Sequence, residues 1–101
     1  MRPAHGIAVV RGRSMLPTLR DGDRLLVRYG ALPRVGRLAI VRLPDGVVSV
    51  KRLHLVDDEG YWFGRDNPSE GLDSWSFGRA ATRDDVLAAV RCRLWPRPGR
   101  P

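Results

Sequence analysis

Apolar and polar residues alternate along this chain in short runs, which are separated by turns containing glycine or proline. Alternation places every second side chain on one face of a strand, so the pattern is typical of strands with one buried face. The predicted strands cover residues 7–10, 24–29, 37–43, 47–56, 61–63 and 86–95. We expect a mostly β fold, a single small barrel-like domain with little helix.

The connections between these strands are short except for one. Residues 44–46, Pro-Asp-Gly, are expected to form the turn of a hairpin between the third and fourth strands. Residues 64–78 form a predicted loop of about fifteen residues, a length that is often functional in a small domain. Residues 82–85 are expected to begin a short helical turn. We expect one domain over residues 1–95 and a disordered tail over residues 96–101.

The chain is strongly basic, with 18 lysine and arginine residues against 11 acidic residues and a net charge of +7. Such a balance is found in proteins that bind nucleic acid. The arginines are scattered along the chain, however, which favours a charge spread over the surface, and no nucleic-acid partner is expected. A nucleic-acid-binding β-barrel stays open as an alternative, because Trp62, Phe63, Trp75 and Phe77 are aromatic side chains on which bases could stack.

No segment of the sequence has the length of a membrane span or the pattern of a secretion signal. The longest apolar stretches have four or five residues, whereas a membrane-spanning helix needs roughly 20. We therefore expect a cytoplasmic protein without a transmembrane segment; peripheral membrane association through the aromatic loop stays open. Cys92 is the only cysteine, and its alternation with Val90 and Leu94 predicts a buried, inert thiol. His5 and His54 are far apart in sequence, and no metal is expected.

Lys51 is the only lysine among the 18 basic residues. Arginine stays protonated at any accessible pH, whereas a buried lysine can lose its proton, so a site that needs a basic nitrogen must use lysine. Strand alternation places Lys51 on the same face as Val47, Ser49, Leu53 and Leu55, and burial there would lower its pKa. The alternative that the pattern leaves open is a lysine at the sheet edge with its amine in solvent.

Ser14 is the second candidate for chemistry. It follows Gly12 and precedes Pro17, so it is expected to lie in a tight turn between strands, where its hydroxyl is presented. A serine in such a turn is more often a capping residue than a nucleophile, and the local pattern alone does not assign it.

Three segments together change this interpretation. The segments are SMLPTL at residues 14–19, VSVKRL at residues 48–53, and GRDN at residues 64–67, which is followed by Asp73 and Ser74. They resemble the motifs of the signal peptidase I and LexA-type serine–lysine peptidases and occur in the same order as in that family. The resemblance implies the family's β-rich catalytic core, with Ser14 as nucleophile and Lys51 as general base. The oxyanion or supporting positions that it implies are Gly12, Met15, Asp66, Asn67, Asp73 and Ser74.

The mechanism that the resemblance implies needs no cofactor. Uncharged Lys51 takes the proton of Ser14 as Ser14 attacks a peptide carbonyl, and Lys51 later activates water to hydrolyse the acyl-enzyme. The backbone N–H of Ser14 is the expected main donor to the oxyanion.

The chain departs from the family pattern at four positions. Arg65 is inserted into the third motif, the family's motif serine falls on Gly71, and its motif arginine falls on Trp75. Gly12 stands where some members carry a second hydroxyl donor to the oxyanion.

These departures leave two supporting roles to be filled by other residues. In signal peptidases the motif serine helps to orient the lysine, so we expect Ser69, Ser74 or a water molecule to orient the general base here. The motif arginine pairs with the motif aspartate, so we expect Arg65 or Arg79 to pair with Asp73.

The expected partner is a precursor protein from which a leader is removed. Relatives of the signal-peptidase branch accept small residues before the cut in shallow apolar pockets, to which Met15, Leu16, Ile40 and the long loop are expected to contribute. Only 13 residues precede Ser14, so we expect a stand-alone core without a membrane anchor or a DNA-binding domain. Short, arginine-rich members include the maturation proteases of nickel-type superoxide dismutase, and residues 22–30 resemble that subgroup. Another processing substrate, or an inactive relative that serves as an interaction module, stays open.

One substitution separates a peptidase from a nucleic-acid binder. Lys51→Arg keeps the positive charge but cannot accept a proton, so we expect it to abolish proteolysis, whereas a nucleic-acid binder would keep its affinity. Cleavage of a precursor substrate and gel-shift binding to DNA and RNA measure the two properties on the same variant. Proteolysis that survived in Lys51→Arg would exclude Lys51 as the general base.

Overall fold

The computed structural model describes residues 4–101, which fold around one antiparallel sheet of six strands. The strands are β1 (His5–Val9), β2 (Arg24–Tyr29), β3 (Leu38–Arg42), β4 (Val48–Asp57), β5 (Gly60–Gly64) and β6 (Val86–Trp95). Their hydrogen-bonded order is β1-β2-β6-β3-β4-β5. The helical segments are α1 (Ser74–Phe77) and a 3₁₀ turn over Arg83–Asp85. The prediction of a mostly β domain is confirmed, and each predicted strand lies within two residues of its observed bounds.

Strand β3 is buried on both faces and separates two apolar clusters. Ala39 and Val41 point into one cluster, whereas Leu38 and Ile40 pack in the other, which explains why β3 is continuously apolar and does not alternate. The first cluster consists of Val10, Met15, Leu19, Leu25, Val27, Leu38, Val50, Ala88 and Val90. The second cluster consists of Ala39, Val41, Leu43, Leu53, Phe63, Ala81 and Val86.

The turn between β1 and β2, residues 11–20, is anchored in the first cluster. Met15 and Leu19 are fully buried there, and the Leu19 N–H donates to the Met15 carbonyl at 2.9 Å, which closes one helical turn. The base of the turn is closed by a pair of backbone hydrogen bonds, from Val10 N–H to the Asp23 carbonyl and from Gly22 N–H to the Val10 carbonyl, each 2.8 Å. The turn that carries Ser14 is therefore fixed at both ends.

The long loop after β5 differs from the prediction because it contains a helical turn. Asp73 precedes α1, and its carboxylate accepts a hydrogen bond from the Ser76 N–H, while the Ser76 hydroxyl accepts one from the Asp73 N–H. This reciprocal pair is a capping box, which satisfies backbone donors at the start of a helix. The helical turn predicted near residues 82–85 is confirmed as the 3₁₀ turn.

The C-terminal part of the chain also differs from the prediction. A β-bulge in the pairing of β2 with β6 skips Arg91, so the alternation predicted for Val90 and Cys92 is broken there. As a result Cys92 is only half-buried, and the prediction of a buried thiol is wrong. Residues 96–101, for which the sequence predicts disorder, turn back along β6, where Arg93 and Gly99 exchange two backbone hydrogen bonds.

No helix among residues 4–101 is both long enough and apolar enough to cross a membrane.

The anchoring of the Ser14 turn makes a testable contribution to stability. Leu19 is completely buried, so Leu19→Ala should lower the free energy of unfolding by about 3 kcal/mol, because it leaves a cavity in the first cluster. Leu72→Ala is the matched control, because Leu72 is 48% exposed and its truncation should cost less than about 0.5 kcal/mol. Urea denaturation of the three proteins measures both values. Equal losses in the two variants would contradict the proposed packing of the turn.

Candidate active site

The side chains of Ser14 and Lys51 meet, although they are 37 residues apart in sequence. The Lys51 Nζ lies 2.7 Å from the Ser14 Oγ. Ser14 is carried by the turn after β1, and Lys51 lies on β4, directly opposite Ala39 of β3. Lys51 is only 2% exposed, so the alternative of a sheet-edge lysine with its amine in solvent is wrong.

The surroundings of Lys51 favour its uncharged form. Burial lowers its pKa, because an ammonium loses its hydration in an apolar site. The Asp73 carboxylate opposes this effect, and the positive charge of Arg65 adds to it, with a net pKa below the ordinary lysine value. An uncharged amine has a lone pair, so the Ser14 hydroxyl can donate its proton to Nζ. A hydroxyl at hydrogen-bond distance from an amine with a lowered pKa is an arrangement in which proton transfer is possible.

Free backbone donors lie in the turn that carries Ser14. Within residues 4–101 the Ser14 N–H has no hydrogen-bond acceptor, so it is available to a substrate oxygen. The Gly12 N–H is occupied, because it donates to the Asp21 carboxylate at 2.8 Å. Met15 is buried beneath the turn and holds it in the core. Within residues 4–101 the Met15 N–H has no acceptor either, so Ser14 and Met15 both present a backbone donor, and Ser14 also carries the hydroxyl.

Asp66 joins β4 to the Ser14 turn. Its two carboxylate oxygens accept hydrogen bonds from Arg52 Nε at 2.9 Å and Arg52 Nη2 at 2.7 Å, and its Oδ2 also accepts the Thr18 hydroxyl at 2.6 Å. Burial alone would raise the pKa of Asp66, but the hydrogen bonds of Arg52 and Thr18 hold it below its ordinary value. Arg52 follows Lys51 directly, so this two-pronged contact fixes the strand that carries the base.

Asn67 holds the backbone on both sides of the Ser14 side chain. Its N–H donates to the Ser14 carbonyl at 2.8 Å, and its Nδ2 donates to the Arg13 carbonyl at 2.9 Å. Its Oδ1 accepts the Ser69 N–H at 3.0 Å, which orients the amide group. Asn67 thus ties the third motif to the nucleophile turn.

The two serines that were expected to orient Lys51 lie elsewhere. The Ser74 hydroxyl is buried and accepts the Phe63 N–H at 3.0 Å, so it supports the junction of α1 with β5. Ser69 contributes its backbone N–H to Asn67. In the described part of the chain neither serine hydrogen-bonds to Lys51, so the prediction is wrong for Ser69 and Ser74, whereas orientation by a water molecule stays a prediction.

Asp73 is paired with backbone donors and not with an arginine side chain. It accepts hydrogen bonds from the N–H groups of Ser76 at 3.1 Å and of Arg65 at 3.2 Å. Burial alone would raise the pKa of Asp73, but these contacts lower it overall. Between residues 4 and 101 no ion pair joins Asp73 to Arg65 or Arg79, so the expected replacement for the motif arginine is not formed.

Sequence reasoning missed Thr18 and Arg52 as supporting residues, although both lie in the segments that carry the resemblance. The one feature of the sequence that could have indicated them is their closeness to the candidate pair: Thr18 is four residues after Ser14, and Arg52 is adjacent to Lys51. The partner of both, Asp66, is far away in sequence, so only the folded chain reveals the link.

A small apolar cavity of about 130 Å³ opens beside Ser14. It lies between β1, β3 and β4, and its walls include Val9, Ile40, Val48 and Met15. Met15 and Ile40 were expected here, whereas Leu16 and the long loop do not line the cavity. Such a volume suits one small side chain of a substrate placed next to the nucleophile. Within residues 4–101 no three His, Cys, Asp or Glu side chains gather in a way that could hold a metal ion.

Comparison with known proteins gives one family. The family model described as Peptidase S24-like matches residues 2–76, which is about three quarters of the chain and includes both Ser14 and Lys51. A search of curated proteins gives no match.

Burial of Lys51 predicts a stability effect that depends on pH. The folded-state pKa lies below the unfolded value of 10.5, so the unfolded chain binds more protons between these two values, and stability rises with pH across that window. Lys51→Met removes the buried amine and should stabilise the protein by about 1 kcal/mol at neutral pH. The gain should shrink as the pH approaches 10.5. Thermal unfolding from pH 7 upwards measures it, and a destabilised Lys51→Met variant at pH 7 would contradict the burial penalty.

Proposed function

The chain belongs to the Peptidase S24-like family, and from that premise we propose that it is a serine endopeptidase in which Ser14 is the nucleophile and Lys51 is the general base. The observation that carries the proposal is the 2.7 Å contact between the Ser14 hydroxyl and a buried amine whose pKa is lowered. A serine hydroxyl is a weak nucleophile until a base at hydrogen-bond distance takes its proton, and Lys51 meets that requirement.

The proposed reaction proceeds in two halves. Uncharged Lys51 takes the Ser14 proton as the Ser14 Oγ forms a bond to the substrate carbonyl carbon, and the oxyanion accepts a hydrogen bond from the Ser14 N–H. The Lys51 ammonium then gives its proton to the departing amine, which leaves an ester on Ser14. In the second half Lys51 takes a proton from water, the resulting hydroxide attacks the ester, and Ser14 recovers its proton as the acid product leaves.

The proposed substrate is a precursor protein that is cut next to a small side chain. The apolar cavity beside Ser14 has a volume of about 130 Å³, which supports a small residue on the acyl side of the cut. Removal of a leader from a nickel-type superoxide dismutase precursor is the specific substrate that the resemblance of residues 22–30 favours, and another processed precursor is the alternative. We place this processing in the cytoplasm.

The nucleic-acid-binding alternative receives less support from the structure. Base stacking needs exposed aromatic faces, but Phe63 is fully buried and Phe77 is half-buried. The rings of Trp62 and Trp75 contact each other at a tilt of 38° with centres 5.4 Å apart, and His54 contacts Trp75 edge to face. Of the four aromatic side chains, Trp75 is the most exposed, at 48%, so no continuous stacking surface is formed.

Acylation by an activated ester tests the assignment without knowledge of the natural substrate. p-Nitrophenyl acetate should give a burst of p-nitrophenolate, and the acetyl group should be found by mass spectrometry on Ser14 within the tryptic peptide of residues 14–20. Cleavage of a random peptide library should depend on the same residue.

Substitutions of Ser14, Lys51 and Cys92 test which side chain is acylated. Ser14→Ala and Lys51→Met should each lower the burst rate and peptide cleavage by about 10³-fold or more, because the two side chains act as a unit. Cys92→Ala is the control, since the half-buried thiol is the one cysteine of the chain and could also react with the ester, and the variant should keep full activity. Undiminished cleavage by Ser14→Ala, or loss of cleavage in Cys92→Ala, would overturn the nucleophile assignment.

A further inference from the structure

Residues 65–71, called the strap here, run from the end of β5 across the Ser14 turn. We propose that Arg65 is a positioning residue: its guanidinium closes the strap, so that the Gly71 backbone lies against the Ser14 side chain and keeps the hydroxyl next to Lys51. This inference rests on the proposed function, because it concerns the alignment of the same two groups. It gives a role to two positions at which the chain departs from its family's motif, the inserted Arg65 and the glycine at position 71.

Arg65 joins the two ends of the strap. Its Nη1 donates to the Gly71 carbonyl at 2.7 Å and to the Ser76 hydroxyl at 3.1 Å, while its Nη2 donates to the Pro68 carbonyl at 3.1 Å. A planar guanidinium presents donors in a fixed fork and can hold two carbonyls at once, whereas a lysine ammonium on a flexible stem does so poorly. The strap therefore depends on arginine at this position and not on positive charge alone.

Gly71 is the point at which the strap touches the nucleophile. Its φ is +84°, and a Cβ built on it would lie 2.5 Å from the Ser14 Cβ and 3.5 Å from the Ser14 Oγ. A separation of 2.5 Å is far below van der Waals contact, so any side chain here would displace either the strap or Ser14. The absence of a side chain lets the backbone pack on Ser14 and restrict its χ1 rotation.

Two further contacts tie the strap to the same turn. The Asn67 N–H donates to the Ser14 carbonyl at 2.8 Å, and the Arg13 Nε lies 3.2 Å from the Glu70 carboxylate. The second contact is an exposed ion pair and contributes little energy. The first is a backbone hydrogen bond to Ser14 itself, so loosening of the strap would also change the position of Ser14.

Arg65 also acts on Lys51 through its charge. The positive guanidinium lowers the pKa of the Lys51 amine, in the opposite sense to the Asp73 carboxylate. Replacing Arg65 with a neutral residue should therefore raise the Lys51 pKa and move the acid limb of the kcat/KM profile to higher pH. A residue with a purely structural role would not produce that shift.

Alanine substitutions at two glycines isolate the contact with Ser14. Gly71→Ala and Gly46→Ala place a side chain at nearly the same backbone angle, φ +84° and +87°, but the Cβ at Gly46 meets nothing within 4 Å. Both variants should lower Tm because of the positive φ, and Gly71→Ala should lower it further because its Cβ also meets Ser14. Only Gly71→Ala should lose acylation of Ser14, by about 100-fold, as expected for a small misplacement of a reacting group. Acylation of Gly71→Ala at the wild-type rate would overturn the proposal.

Substitutions at Arg65 separate its geometry from its charge. Arg65→Lys and Arg65→Gln should both lower kcat with little change in KM, because both lose the two-carbonyl contact. Arg65→Gln should in addition shift the acid limb to higher pH, while Arg65→Lys should leave it close to the wild-type position. Arg79→Gln, which removes an exposed arginine outside the site, is the control and should change neither. An unaltered kcat in both Arg65 variants would overturn the proposal.

Amide hydrogen exchange distinguishes failure of this proposal from failure of the proposed function. If the wild-type protein does not acylate Ser14, the peptidase assignment fails whatever the strap does. The closure of the strap is then tested by the exchange rate of the Asn67 N–H, which should be higher in Arg65→Gln than in the wild type and in Arg79→Gln. Unchanged protection of the Asn67 N–H in Arg65→Gln would overturn the closure of the strap by Arg65.

Discussion

The whole site depends on one amine that is held out of water at 2.7 Å from a serine hydroxyl. A buried ammonium costs several kcal/mol in lost hydration, and the structure offers Lys51 no ion pair at contact distance among residues 4–101. Burial lowers the pKa of Lys51 and so shifts the balance towards the uncharged amine, which is the state that can accept a proton. The same burial therefore destabilises the fold slightly and supplies what the proposed base needs.

The fold meets this constraint by tying together segments that are distant in sequence. Asp66 fixes β4 through Arg52 and the Ser14 turn through Thr18, so the strand that carries Lys51 and the turn that carries Ser14 share one carboxylate. Asn67 then holds the backbone of Ser14. Each of these contacts is local, but together they leave the hydroxyl little freedom to move away from the amine. Preorganisation of this kind is what a reaction between two weak groups requires.

The sequence predicted the parts of the structure that depend on local pattern. The bounds of β2 and β6 followed from alternation, which also favoured a buried face for Lys51 but left a sheet-edge position open. The pairing of Lys51 with Ser14 followed from the resemblance of three ordered segments. The exposure of Cys92 could not be predicted, because a bulge changes the alternation without any mark in the composition. The bonding of Ser74 to Phe63 depends on how α1 docks on β5, which no spacing in the sequence reveals.

The titration of Lys51 itself tests most directly whether burial next to Ser14 lowers the pKa of its amine. Because the chain has a single lysine, selective labelling with ¹³C,¹⁵N-lysine gives one side-chain signal, and its chemical shift can be followed by NMR as the pH is raised. We expect a midpoint clearly below 10.5, the ordinary lysine value, and a change in the signal when Ser14 is replaced by alanine. A midpoint at the ordinary value, together with a signal that ignores the Ser14 substitution, would contradict this expectation.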